Sequence, residues 1–130
     1  MIFRLPLLAC LIMFVLSASS SASDLTLHLA GNESFSHSLV QVECDANGVK
    51  MGAPSGPFSV EYINGGGNSL AIVPIEGKSL IFVNVVAGSG ARYVAKQYTW
   101  WDAAGRGISF TTDSLAGKMR SSCHHLSSAK

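Results

Sequence analysis

The stretch "FSVEYINGGGNSLAIVPIEGKSLIFVNVV", residues 58–86, decides the fold class. Phe58, Val60 and Tyr62 alternate with Ser59 and Glu61, the period-two pattern of a strand with one buried face. The runs "SLAIVPI" (69–75) and "SLIFVNVV" (79–86) are apolar at both parities, which predicts strands buried on both faces. Between them stand "INGGGN" and "EGK", whose glycines supply turn conformations. The stretch therefore reads strand, turn, strand, turn, strand.

The same grammar extends outward in both directions. "LTLHL" (25–29) and "VQVEC" (40–44) precede it, and "ARYVAKQYTWW" (91–101), "GISFTT" (107–112) and "KMRSSC" (118–123) follow. Turn signals fall between the runs: "DANG", "GAPSGP", "AGSG", "DAAGRG" and "DSLAG". No helical i, i+3, i+4 pattern of useful length occurs. About eight short strands with glycine turns predict an antiparallel barrel or sandwich. Pro74 lacks a backbone donor, so its strand is expected at an edge, a bulge or a barrel seam there.

The N-terminus is of another kind. "MIFRLPLLACLIMFVL" carries Arg4 and then an apolar run, and "SASSSAS" (17–23) follows. That is the order of a secretory signal peptide, expected over residues 1–22 with cleavage after Ala22. The run is too short to span a bilayer. "LLAC", ending at Cys10, has the form of a lipoprotein box. Cleavage there would leave "LIMFVL" at the start of the mature chain, so lipid anchoring at Cys10 is not expected. Residues 23–130 are then one exported domain, soluble rather than membrane-anchored.

With Arg4 removed, that domain holds eight basic and eight acidic residues. A chain without excess positive charge offers no basic face for nucleic acid and no strong steering toward charged partners. Cys44 and Cys123 are the cysteines left, and in an oxidising compartment they are expected to pair.

Candidate chemistry is sparse. Ser89 lies in "AGSGA", but a nucleophile elbow needs glycines two residues to either side and a following helix, and neither is present. His124 and His125 are adjacent on a strand and point to opposite faces, so they do not share a metal. His28 and His37 belong to no recognisable motif, and no metal or cofactor is expected. "NES" (32–34) is a glycosylation sequon only in a eukaryotic secretory path. Tyr98 and Trp100 share one strand face and Trp101 takes the other, near the surface or in the core.

"SGARY" (89–93) followed by "YTWW" (98–101) resembles the signature of the MliC/PliC family, membrane-bound and periplasmic inhibitors of c-type lysozyme. Ser89, Gly90 and Tyr93 match its first part, and Tyr98 and Trp101 match its second. Cys44 in "VECD" and Cys123 in "SSCHHL" match the family's cysteine frame, so the likeness covers about residues 38 to 126.

The resemblance implies an all-β fold, a small eight-stranded antiparallel barrel stapled by one disulfide. It implies a periplasmic inhibitor, not an enzyme, whose partner is c-type lysozyme and which protects peptidoglycan in a Gram-negative envelope. Ser89 would enter the lysozyme cleft on a tip that Gly88 and Gly90 keep slim, while Tyr93, Tyr98 and Trp101 would hold the loops. The family's Lys-Gly after the tryptophan aligns with "DAAG" (102–105), where Ala103 or Ala104 takes the lysine position. Arg106 is the nearest cation: either it takes over that contact or the contact is lost. Asp102 could instead meet the partner's basic surface. A monomer and a homodimer are equally open. The other readings are a barrel carrying a small ligand and a structural envelope protein.

Overall fold

A computed structural model describes residues 21–127. Apart from Ser21 and Ala22, the expected signal peptide lies outside the described residues, as does Cys10. Eight strands and one short helix follow in order: β1 (Ser36–Cys44), α1 (Ala46–Lys50), β2 (Phe58–Gly65), β3 (Asn68–Ile75), β4 (Lys78–Val85), β5 (Ala91–Ala95), β6 (Tyr98–Asp102), β7 (Ile108–Ser114) and β8 (Gly117–His125). Each strand pairs antiparallel with the next, and β8 pairs with β1, closing a barrel. Closure leaves no free sheet edge to protect.

Alternation puts one parity of each strand inside. Val42, Val60, Val73, Phe82, Trp100 and Phe110 have no exposed surface. Phe110 stacks at a tilt on Trp100 and on Tyr98, with ring centroids 5.6 Å apart in each pair. The interior is a packed core of large side chains.

The barrel closes by a short seam. Only Val42, Glu43 and Cys44 of β1 face His125, His124 and Cys123 of β8. Cys44 and Cys123 stand directly opposite and form the disulfide. The expected bond thus crosses the point where first and last strands meet.

Five expectations change or sharpen. "LTLHL" forms no strand, and Leu25, Leu27 and Leu29 are exposed. Alternation alone does not make a strand; a hydrogen-bonded neighbour is also needed. "ARYVAKQYTWW" is two strands, because Lys96 takes φ 51° and turns the chain so that Ala95 pairs with Tyr98. The total of eight therefore holds with a different membership. β4 is not buried on both faces: Ile81 and Val83 are 41% and 52% exposed, since among the described residues no second layer covers the outside of the strand. The "DANG" turn is the start of α1, capped by the Asp45 carboxylate, which accepts from Gly48 N–H at 3.0 Å. Pro74 faces Ser79 of β4, while the ladder from β3 to β2 stops at Ile72. Its missing donor falls at a local edge, as expected.

Candidate functional site

In an up-and-down barrel alternate loops share one end. The loop between β4 and β5 (86–90) and the loop between β6 and β7 (103–107) therefore lie side by side. The first carries Ser89 and the second carries Arg106.

The second loop is tightly wound. Ala103 N–H donates to Gly107 C=O at 3.0 Å, and Ala104, Gly105 and Gly107 all have positive φ. Ala104 N–H also donates to an Asp102 carboxylate oxygen at 3.3 Å. This winding turns Arg106 back across the first loop. Its Nη2 donates to Ser89 Oγ at 3.0 Å. Trp101, half-buried on β6, donates its Nε1–H to Ser89 C=O at 2.9 Å. Ser89 is thus held at its hydroxyl by the neighbouring loop and at its carbonyl by β6.

The two flanking glycines differ. Gly90 has φ +65°, and a Cβ there would lie 2.3 Å from Asp102 O and 2.9 Å from Ala103 Cα. Both atoms are backbone, so the close approach of the loops requires glycine. A Cβ at Gly88 would meet nothing within 4 Å.

A polar network supports the tip from below. Trp100 Nε1–H donates to Tyr62 Oη at 2.9 Å, and Tyr62 O–H donates to Asp102 Oδ2 at 3.3 Å. His125 Nε2 lies 3.0 Å from the same Asp102 oxygen. Burial, opposed in part by the Trp100 bond, pushes the Tyr62 hydroxyl far above the usual tyrosine range, so it stays a donor. Burial and the nearby Asp102 charge also raise the Tyr93 hydroxyl. Tyr62, Tyr93, Asp102, Gly90 and Ala104 line a shallow depression of about 340 Å³ beside the tip.

Ser89, Gly90, Tyr93, Trp101 and Arg106 therefore gather at one end of the barrel. Tyr98 does not join them: it opens β6 at the opposite end, buried against Phe110. Asp102 is engaged by Tyr62 and His125, with its side chain 19% exposed. Sequence reasoning missed Tyr62 and His125 as supports. Each lies more than twenty residues from Asp102, and no local pattern marks such a contact.

The family model described as membrane-bound lysozyme-inhibitor of c-type lysozyme, MliC, matches residues 52–117, just over half of the 130 residues. The chain belongs to the MliC family. Its fold matches the crystal structure of Pseudomonas aeruginosa MliC in complex with hen egg white lysozyme. The TM-score is 0.61 at 32% identity, over 82% of this chain and 99% of that one. A membrane-bound lysozyme inhibitor of C-type lysozyme from Pseudomonas aeruginosa is 43% identical over 58% of this chain and 54% of its own length. One of the same description from Cupriavidus necator is 43% identical over 34% of this chain and 35% of its own. These matches span about half the length, or less, of the curated relatives. MliC-family membership is consistent with an exported envelope protein.

Proposed function

We propose that this protein inhibits c-type lysozyme by seating the tip formed by Ser89 and Arg106 in the enzyme's active-site cleft. The observation that carries the reading is the 3.0 Å bond from Arg106 Nη2 to Ser89 Oγ, which joins a hydroxyl and a cation in one slim projection. Glycosidases of this type work with two carboxyl groups that flank a narrow cleft. Ser89 Oγ accepts from Arg106, so its own O–H is free to donate to one carboxyl. The guanidinium, with its remaining N–H groups, suits the other as a charge-assisted partner. On this reading Arg106 takes over the role of the family lysine absent at Ala103 and Ala104.

Gly90, Tyr93 and Trp101 hold the two loops together, and Tyr98 contributes to the core at the far end of the barrel. The relative crystallised with hen egg white lysozyme supports the choice of partner. The finer cellular placement, a soluble periplasmic protein rather than a lipoprotein, rests on the sequence of residues 1–22. The packed interior argues against a small-ligand carrier, since the aromatic and aliphatic core leaves a ligand no room.

The test is lysis of bacterial cell walls by a c-type lysozyme with stoichiometric purified protein added. Inhibition is expected, and undiminished lysis would sink the proposal. Ser89→Ala should weaken inhibition by about 1–3 kcal/mol, the cost of leaving a buried carboxyl short of a donor. An unchanged inhibition constant would remove Ser89 from the mechanism.

A further inference from the structure

The outer wall of β5 to β8 holds a trough of about 440 Å³ that the lysozyme reading does not use. Strand register builds it in two rows. Arg92, Trp101 and Ser109 stand side by side across β5, β6 and β7, and Thr99, Thr111 and Arg120 do so across β6, β7 and β8. All six line the trough. They point outward because their neighbours Tyr93, Trp100, Phe110 and Ser121 point in.

Three features limit what such a surface recognises. First, Arg92 and Arg120 make no salt bridge among the described residues, whereas Lys118 and Asp113, which also line the trough, pair with each other at 3.6 Å and so offset one another. Two free guanidinium forks in a chain of near-neutral charge favour an anion with planar oxygen pairs. Second, the floor is hydroxyl-bearing: Thr99, Thr111 and Ser109 each donate and accept, and so match a ligand rich in hydroxyls. Third, Trp101 has its N–H committed to Ser89 C=O at 2.9 Å, so what it offers the trough is the apolar ring. Cation, hydroxyl and aromatic face together fit a sugar that carries carboxylates. Its two rows of side chains together span four neighbouring strands, which suits a chain lying across them.

We propose that this wall binds an acidic sugar chain. The site is separate from the Ser89 tip and does not depend on its role. The two adjoin at Trp101, so a protein docked on a carboxylated glycan would hold its tip close to that glycan.

The experiment titrates the purified protein with three probes and follows backbone amide shifts by NMR. One is the disaccharide of N-acetylglucosamine and N-acetylmuramic acid, one is an oligogalacturonate, and one is neutral chitobiose. The expected result is that at least one acidic probe binds about tenfold more tightly than chitobiose, with shifts on β5 to β8. Which acidic probe it is identifies the source of the carboxylate. In the double variant Arg92→Gln/Arg120→Gln that preference is expected to vanish, while the unfolding midpoint and lysozyme inhibition stay unchanged. Equal binding of all three probes, or a preference that survives in the double variant, overturns the proposal. Loss of inhibition in a folded double variant also overturns it, by assigning the arginines to the lysozyme contact. Failure of the wild-type protein to inhibit lysozyme bears on the tip alone.

Discussion

Gly90 shows how one residue sets the geometry of a tip. Its φ of +65° is open to other residues at a cost, but the 2.3 Å approach of a Cβ to Asp102 O is not. Gly90→Ala must push the two loops apart and so break the Arg106 and Trp101 bonds to Ser89. We expect it to cost about 1–3 kcal/mol in denaturant unfolding and to weaken lysozyme inhibition as well. Gly88→Ala, where a Cβ meets nothing, should leave stability within about 0.5 kcal/mol. Equal effects at both glycines would show that slimness, not loop approach, is what matters. The symmetric "GSG" (88–90) does not distinguish them, because the difference lies in the chain that packs against Gly90.

Among the elements, the seam between β1 and β8 is the one held by covalent chemistry. Three residue pairs join these strands, and the disulfide closes a chain separation of 79 residues. Replacing both Cys44 and Cys123 with alanine should remove about 4 kcal/mol on the loop-entropy account, read as a lowered denaturant midpoint. A midpoint shift under 1 kcal/mol would mean that the unfolded chain is not much constrained by the bond. Helix α1 packs against the same seam through its cap. Asp45 accepts from Ser122 N–H at 3.0 Å, Ser121 Oγ at 2.7 Å and Gly48 N–H at 3.0 Å. The Ser122 and Ser121 bonds hold its carboxyl below the usual aspartate range, against a small opposing effect of burial. A depressed folded pKa contributes stability that is complete above the unfolded value and is lost as pH falls through the folded one. Stability should therefore drop below about pH 4, and Asp45→Asn should flatten that part of the curve in thermal unfolding against pH. An unaltered acid limb in the variant would exclude Asp45 as its source. The cysteine pairing was legible from the sequence, since setting aside Cys10 with the expected signal peptide leaves Cys44 and Cys123 as each other's partner. The helix was not, because five residues carry no periodicity and Asp45 earns its conformation from β8.

For the whole molecule the deciding fact is that one closed sheet has an inside and an outside. Phe82 is fully buried and its neighbour Val83 is half exposed, although Leu80 to Val83 is an unbroken apolar run. Phe82→Ala should cost about 3–5 kcal/mol, whereas Val83→Thr should cost no more than about 0.5 kcal/mol. Comparable losses would mean that the outer wall of β4 is covered in solution. The period-two runs and the glycine turns carried the all-β fold class and placed Ser89 in a turn, because these are short-range properties of a chain. The sequence also put "YTWW" and "SGARY" together as a signature before any contact between them was visible. Barrel closure settled the rest. It left "LTLHL" outside the sheet and cut "ARYVAKQYTWW" in two. It brought Arg106 onto Ser89, turned Tyr98 to the far end, and set His125 and Tyr62 beneath Asp102. Those contacts join residues far apart in sequence, and their energy depends on which strands become neighbours when the sheet meets itself. No local pattern encodes that choice.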